Sequence, residues 1–254
     1  MNPYLKNLKK LEFVVTDACT GKCRHCSEGD HAACGTHLEP NLASDAVARV
    51  AAVYRLETVM AFGGEPLLYP ETVEAIMRAA LAAGVAHRQV ITNGYFSRDP
   101  GAMRAMAARL AACGVSDLLL SVDAFHEEFI PIATVRRFAE EAQAAGIPIR
   151  LQPAWLVSAE DDNPYNRETR RLLDSFCDTG IPIGGGNVVF PEGNACIYLA
   201  GYFTDDLPKN PYVEDPRDVR CLSFSPNGEV LDGNIRHTDI LKILENYAPR
   251  KEEA

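Results

Sequence analysis

The sequence predicts an α/β fold built on parallel strands, and three observations carry that reading. Short β-rich runs begin near Leu11, Glu57, Arg88, Asp117, Ile147 and Ile181, at successive offsets of 46, 31, 29, 30 and 34 residues. Each run is close to continuously apolar, as a strand covered on both faces requires, instead of alternating. Between the runs lie alanine-rich amphipathic stretches of helical length.

Taken in order, LEFVVT is the first strand and leads into a cysteine-bearing loop. A helix follows over 44–56, with Ser44 as its N-cap. ETVMAF and a helix over 70–83 come next, then RQVIT and a helix over 100–113 that Asp99 caps. DLLLSV precedes a helix over 134–145, and IPIRLQPAWLV one over 169–179. Gly84, Gly114, Gly146 and Gly180 stand just past the last periodic residues, where a left-handed conformation closes a helix. IPIGGGNVVF is the sixth strand. Six strands with five helices fit an open doubly wound sheet or a curved, incomplete barrel, and both put chemistry at the carboxyl ends of the strands.

After Phe190 the texture changes. Pro191, Pro208, Pro211 and Pro216 punctuate a polar segment that reads as a long loop or lid. Asn227-Gly228 between two short apolar runs then signals a hairpin, and 238–247 a final helix. The chain thus divides into a core over 1–190 and an extension of loop, hairpin and helix over 191–254, expected to cover the mouth of the core.

With 254 residues, 47% of them apolar, the core needs no disulfide or metal staple, so the eight cysteines want another explanation. The formal charge of −10 repels phosphate backbones, and no nucleic-acid partner is expected. No apolar run approaches the roughly 18 residues of a membrane span, so no membrane association is expected. Residues 1–10 lack a signal-peptide core, so the expected compartment is the cytoplasm, where clustered cysteines read as metal ligands or redox groups.

Cys19, Cys23 and Cys26 stand C-x3-C-x2-C directly after the first strand. A structural zinc would need a fourth ligand from His25, His31 or Cys34. A four-iron cluster on three thiolates instead leaves one iron open to a chelating ligand.

The rest of the chain resembles the radical S-adenosylmethionine (SAM) superfamily over the first 150 to 190 residues. The C-x3-C-x2-C loop, with His25 before its last cysteine, is followed by Gly63-Gly64-Glu65-Pro66 at the second strand end, Thr92-Asn93-Gly94 at the third and Ser121-Val122-Asp123 at the fourth. Four matches at four consecutive strand ends make the resemblance specific. It implies a partial (β/α)6 TIM-like barrel with a C-terminal hairpin and helix, and two cofactors, a [4Fe-4S] cluster on Cys19, Cys23 and Cys26 and SAM chelated to its open iron. It implies reductive cleavage of SAM to a 5′-deoxyadenosyl radical that abstracts hydrogen from a substrate, with an electron donor such as flavodoxin or ferredoxin.

By the same resemblance, Gly63, Gly64, Glu65 and Pro66 receive the SAM amino group, while Ser121 and Asp123 face the ribose hydroxyls or the methionine carboxylate. Asn93 lies near the same ligand, Arg150 pairs the carboxylate, and the adenine lies against His25 and Asn187. Arginine suits its task because its planar fork matches a carboxylate.

Other features have two readings each. Gly184-Gly185-Gly186 reads as a strand-end turn rather than a phosphate cradle, and Trp155 as a core residue rather than a pocket wall. Asn163, Tyr165 and Arg167 read as a capped turn rather than substrate contacts. His126 is either a catalytic group or a surface histidine at a helix start. Cys113 and Cys177 read as small buried residues. Cys196 and Cys221 are candidate catalytic thiols that return hydrogen to a substrate radical.

The region from Cys221 to Ile240 resembles a shortened form of the extension that holds auxiliary clusters in peptide-modifying members, without its cysteines. A peptide or protein is therefore the first substrate class and a small polar metabolite the second. A non-catalytic iron–sulfur or zinc protein is the reading from another class.

Overall fold

The computed structural model describes residues 2–29, 35–204 and 210–249. Its centre is a six-stranded, all-parallel sheet. β1 (Lys10–Val14) pairs with β2 (Thr58–Phe62), β2 with β3 (His87–Thr92), β3 with β4 (Asp117–Ser121) and β4 with β5 (Ile149–Gln152). On its other side β1 pairs with β8 (Cys221–Phe224), giving the order β5-β4-β3-β2-β1-β8. The ends β5 and β8 do not pair, so the barrel is partial.

One face of this sheet is apolar throughout: Leu11, Phe13, Val59, Ala61, Val90, Leu118, Leu120 and Leu151 are fully buried. Against it pack α1 (Pro40–Ala51), α2 (Pro70–Ala82), α3 (Pro100–Ala112) and α5 (Ile132–Ala144), the crossover helices that parallel pairing requires, together with α6 (Pro164–Asp174). The other face carries Glu12, Gln89, Asp117 and Arg150, all partly exposed.

Proline at the first turn fixes where four of these helices begin. Pro40 starts α1 four residues before the expected Ser44, which lies just past the first turn and donates to the Asn41 carbonyl. Pro164 likewise starts α6 before the expected 169, and Asn163 caps it by accepting from the Asn166 N–H at 2.9 Å. Asp99 caps α3 as expected, accepting from Gly101 and Ala102. Gly84, Gly114, Gly146 and Gly180 all have positive φ, between 68° and 84°.

The sixth strand differs from expectation. The run from Ile181 makes one bridge, Leu151 to Ile183, and a two-residue strand β7 (Asn187–Val188) beside β6 (Ala154–Trp155). Gly184-Gly185-Gly186 interrupts it, with Gly186 at φ +76°, and three glycines offer no side chains to pack. The sheet instead recruits β8, whose Phe224 stacks on Phe13 of β1 with centroids 4.5 Å apart.

Asn227-Gly228 does turn the chain, with Gly228 at φ +84°, but the antiparallel pair comes later, between β9 (Glu229–Val230) and β10 (Gly233–Asn234). α8 (Ile240–Asn246) packs beside α1 through the Arg49–Asp239 ion pair at 2.7 Å, and the Asn2 carboxamide donates to the Leu244 and Tyr247 carbonyls. This part of the extension completes the core at the β1 edge. Among the described residues no helix is long and apolar enough to cross a membrane.

Candidate functional site

The loop leaving β1 is bolted to the end of β2 before it reaches its first cysteine. Gly64 N–H donates to the Thr16 carbonyl and Glu65 N–H to that of Ala18, both at 2.8 Å. Gly63 has φ +133°, and a Cβ on Gly64 would stand 2.2 Å from the Ala18 oxygen, so only glycine permits this approach.

Glu65 is fully buried, and its carboxylate accepts from Leu67 N–H, Thr92 hydroxyl and Asn93 N–H at 2.8–2.9 Å. Burial pushes it up to about 7 against the pull of those donors. Its oxygens are committed to joining the β2 and β3 ends, an inward role beside the one expected toward SAM. Pro66 is buried at the start of the following 3-10 turn.

Cys19, Cys23 and Cys26 form no disulfide, and both Cys19 and Cys26 raise the Cys23 thiol electrostatically. Burial is the larger cause: it lifts Cys19 to about 11 and Cys23 higher still. Thiolates in this place need a cation to offset them. The Asn93 carboxamide reaches Cys19 Sγ at 3.6 Å and Thr20 Oγ1 at 3.1 Å.

Beyond β4, Asp123 caps the short helix α4 (Ala124–Glu127) and is 1% exposed. It accepts from the Phe125, His126 and Ala154 N–H groups and from the His126 ring, whose Nδ1 lies 2.9 Å from both of its oxygens. Burial opposes ionisation, but His126 overrides it and Asp123 is held down at about 2. Burial also works to strip His126 of its proton, and Asp123 more than reverses that, raising its pKa. His126 is thus a pinned, half-buried ring rather than a surface residue.

His25 packs on Phe125 and His126, with centroids 4.8 and 4.9 Å away, and its Nδ1 is buried without a partner. Burial lowers it to about 4. One ligand atom from each of Cys23, His25 and His126 falls within 4.8 Å of the others. His31 and Cys34, the other candidate zinc ligands, lie outside the described residues.

Ser121 stands at the carboxyl end of β4, level with Gln152. Arg150 sits lower, level with Leu119, and its guanidinium turns toward the amino end of the sheet to pair Asp117 at 2.8 Å, leaving its Nε buried without a partner. Asn187 is exposed and accepts from the Gln152 side chain at 3.4 Å.

The structure separates the two candidate thiols. Cys196 is exposed on α7 (Asn194–Tyr198), donating to the Pro191 carbonyl at 2.8 Å, and α7 touches the cysteine loop. Cys221 pairs with Lys10 at the amino end of the sheet, four residues and roughly 13 Å below Val14. Its thiol is raised by burial and then by Glu12. A hydrogen donor at the barrel mouth cannot stand there, because parallel pairing with β1 fixes its level.

Of the remaining features, Trp155 is a core residue whose Nε1 donates to the Gly185 carbonyl at 2.9 Å, and Cys113 is buried. Cys177 is exposed, contrary to expectation, since its helix ended at Asp174. Sequence reasoning missed Gly193 and Asn194, which seat α7 on the cysteine loop. Their only sequence signal is a Gly-Asn pair inside a polar segment.

The model of the Radical SAM superfamily matches residues 13–152, more than half of the chain. The chain belongs to the radical SAM superfamily. Two curated relatives are both named GTP 3′,8-cyclase. That of Geobacter sulfurreducens is 27% identical over 181 residues, 68% of this chain and 54% of its own. That of Moorella thermoacetica is 26% identical over 169 residues, 63% and 50%. The chain therefore spans about half the length of these curated relatives.

Among solved structures, native anSMEcpe with bound AdoMet gives a TM-score of 0.61 at 13% identity, over 94% of this chain and 80% of that one. Streptococcus suis SuiB bound to S-adenosylmethionine gives 0.59 at 13% identity, over 96% and 66%. At these identities the likeness shows the fold. The radical SAM assignment makes the protein an enzyme whose cofactors are a [4Fe-4S] cluster and SAM. The residues fit that pair: three soft sulfur ligands outside any disulfide share one loop, the His25 Nδ1 beside them is buried without a partner, and Gly64 makes way for close backbone packing.

Proposed function

We propose that Cys19, Cys23 and Cys26 hold the cluster, and that the surrounding strand ends, Gly63 to Pro66, Asn93, Ser121 and Asp123 with His25 above them, form the SAM site. The observation that carries this is that Cys19, Cys23 and Cys26, none of them in a disulfide, lie close enough at the carboxyl end of β1 for the first and last to raise the middle one, on a loop bonded to the β2 and β3 turns. When bound, the two cofactors supply one-electron cleavage to methionine and a 5′-deoxyadenosyl radical, which takes a hydrogen atom from the substrate. A small one-electron carrier of the flavodoxin or ferredoxin type is the donor.

The chain's own residues position and shield. Glu65 locks Thr92 and Asn93 so that the Asn93 carboxamide faces Cys19. Asp123 fixes the His126 ring against His25, and Phe125 and Tyr165, stacked at 4.6 Å, close that side to water. Arg150 serves the inner face of the sheet below the SAM level, and Asn187 its rim. The segment 191–204 covers part of the mouth, with Cys196 on its outer side.

The substrate is a peptide or protein segment. The partial barrel supports this reading, as do Ile197 and Tyr198, 71% and 55% exposed on α7 at the rim. The anSMEcpe structure with a bound Kp18Cys peptide has the same fold and admits a peptide in that protein. A small polar substrate is favoured by a different observation, the Gln89, Asp117 and Arg150 set on the inner face, and by the curated GTP 3′,8-cyclase relatives.

The test is anaerobic reconstitution with iron and sulfide, then dithionite and SAM. The wild type forms 5′-deoxyadenosine and Cys23→Ala does not. A colourless protein holding one zinc ion on Cys23, His25 and His126 would sink the proposal. Turnover on a peptide library but not on nucleotides distinguishes the two substrate classes.

A further inference from the structure

The segment after Phe190 reaches back across the whole chain to grip the cysteine loop from outside. Asn194 is 4% exposed, and its carboxamide donates to the Cys23 carbonyl at 3.2 Å and to that of Gly29 at 3.4 Å. Its N–H donates to the Cys26 carbonyl at 2.9 Å. Gly193 makes this contact possible: it has φ +53°, and a Cβ there would stand 2.3 Å from the Ser27 oxygen and 2.6 Å from that of Cys26. One residue therefore ties down the backbone before, at and after Cys26.

We infer that Asn194 is a positioning residue for the cluster-binding loop, its two amide hydrogens and its N–H setting the spacing of Cys23 and Cys26. The chemistry of the side chain is selective. Two carbonyl acceptors on a short arm call for a primary amide: serine has one donor, and aspartate would set two negative oxygens against the carbonyl oxygens. Because the contact is reciprocal, whatever orders the loop also orders α7, so cluster loading and the α7 segment are linked. The inference rests on the reading that Cys19, Cys23 and Cys26 hold the cluster.

The experiment uses the full chain, with and without anaerobic reconstitution, as wild type, Asn194→Ala and Asn194→Asp. Hydrogen exchange on the wild type comes first: loading slows the amides of 23–29 and 194–198 together. Slowing confined to 23–29 overturns the inference without any variant. In the variants, loss of two neutral hydrogen bonds makes the cluster strip at about tenfold lower chelator concentration, with altered resonance lines of the reduced state, while the unloaded chain melts close to wild type. Chelator resistance and resonance lines identical to wild type overturn it, and so does a variant whose unloaded chain no longer melts cooperatively, since Asn194 would then support the fold at large. A wild type that takes up no iron refutes instead the assignment of the cluster to the three cysteines.

Discussion

At the scale of single residues, the buried Asp123 carboxylate and the Gly64 turn each hold local structure, and both can be tested without cofactors. Asp123 accepts four different donors, among them the ring of His126. Asp123→Asn turns an acceptor into a donor facing other donors and costs about 3 kcal/mol of stability near neutral pH. The native carboxylate stays ionised down to about 2, whereas the unfolded one titrates at the ordinary 3.8. Between those values the unfolded chain binds more protons, so wild-type stability falls as pH falls and the deficit of the variant closes toward pH 2. Denaturant midpoints across that range check it, and a pH-independent deficit contradicts the carboxylate's role. Gly64→Ala tests the neighbouring turn. With the Ala18 oxygen 2.2 Å from the new Cβ, backbone must shift, and about 1–3 kcal/mol is lost. An unchanged melting temperature would mean that the turn is looser than it stands.

Among the elements, β8 is the one whose role the local sequence conceals. Its four residues hold only Leu222 and Phe224 as buried apolar positions, and nothing within them specifies a parallel partner more than 200 positions away. β1 to β5 were legible because each is a β-rich run repeated at a regular spacing with helical stretches between, and the motif turns because their residues are contiguous. Arg150 was placed on its strand but not at its height, and Cys221, expected in the hairpin region, stands instead at the foot of β8, since height follows from register between strands, which is non-local. Asn194 escaped notice for the same reason. It follows that a chain cut after residue 190 loses β8, the Phe13–Phe224 stack and α8, and exposes the edge of β1. Such a truncated chain is expected to lose cooperative melting and to aggregate through the open strand. A sharp, reversible transition for residues 1–190 would show that the extension is dispensable to the core.

For the whole molecule, the consequence of this layout is that one small site is anchored to most of the fold. The cysteine loop hangs from β1, is bonded to the turns after β2 and β3, and is held from outside by α7. Anything that binds the loop in the native state but not in the unfolded chain therefore stabilises these elements together. A ligand present at 100 times its dissociation constant adds about 2.7 kcal/mol. For a domain near this size that raises the melting temperature by roughly 5–10 °C. The reconstituted protein should melt that much higher than the unloaded chain, and anaerobic chelation should return it to the lower value. In Cys23→Ala the two preparations should coincide at every chelator concentration. If wild-type protein carrying its full iron melts together with the stripped form, the loop is free of the strand ends that flank it, and the coupling drawn here between cluster and core fails.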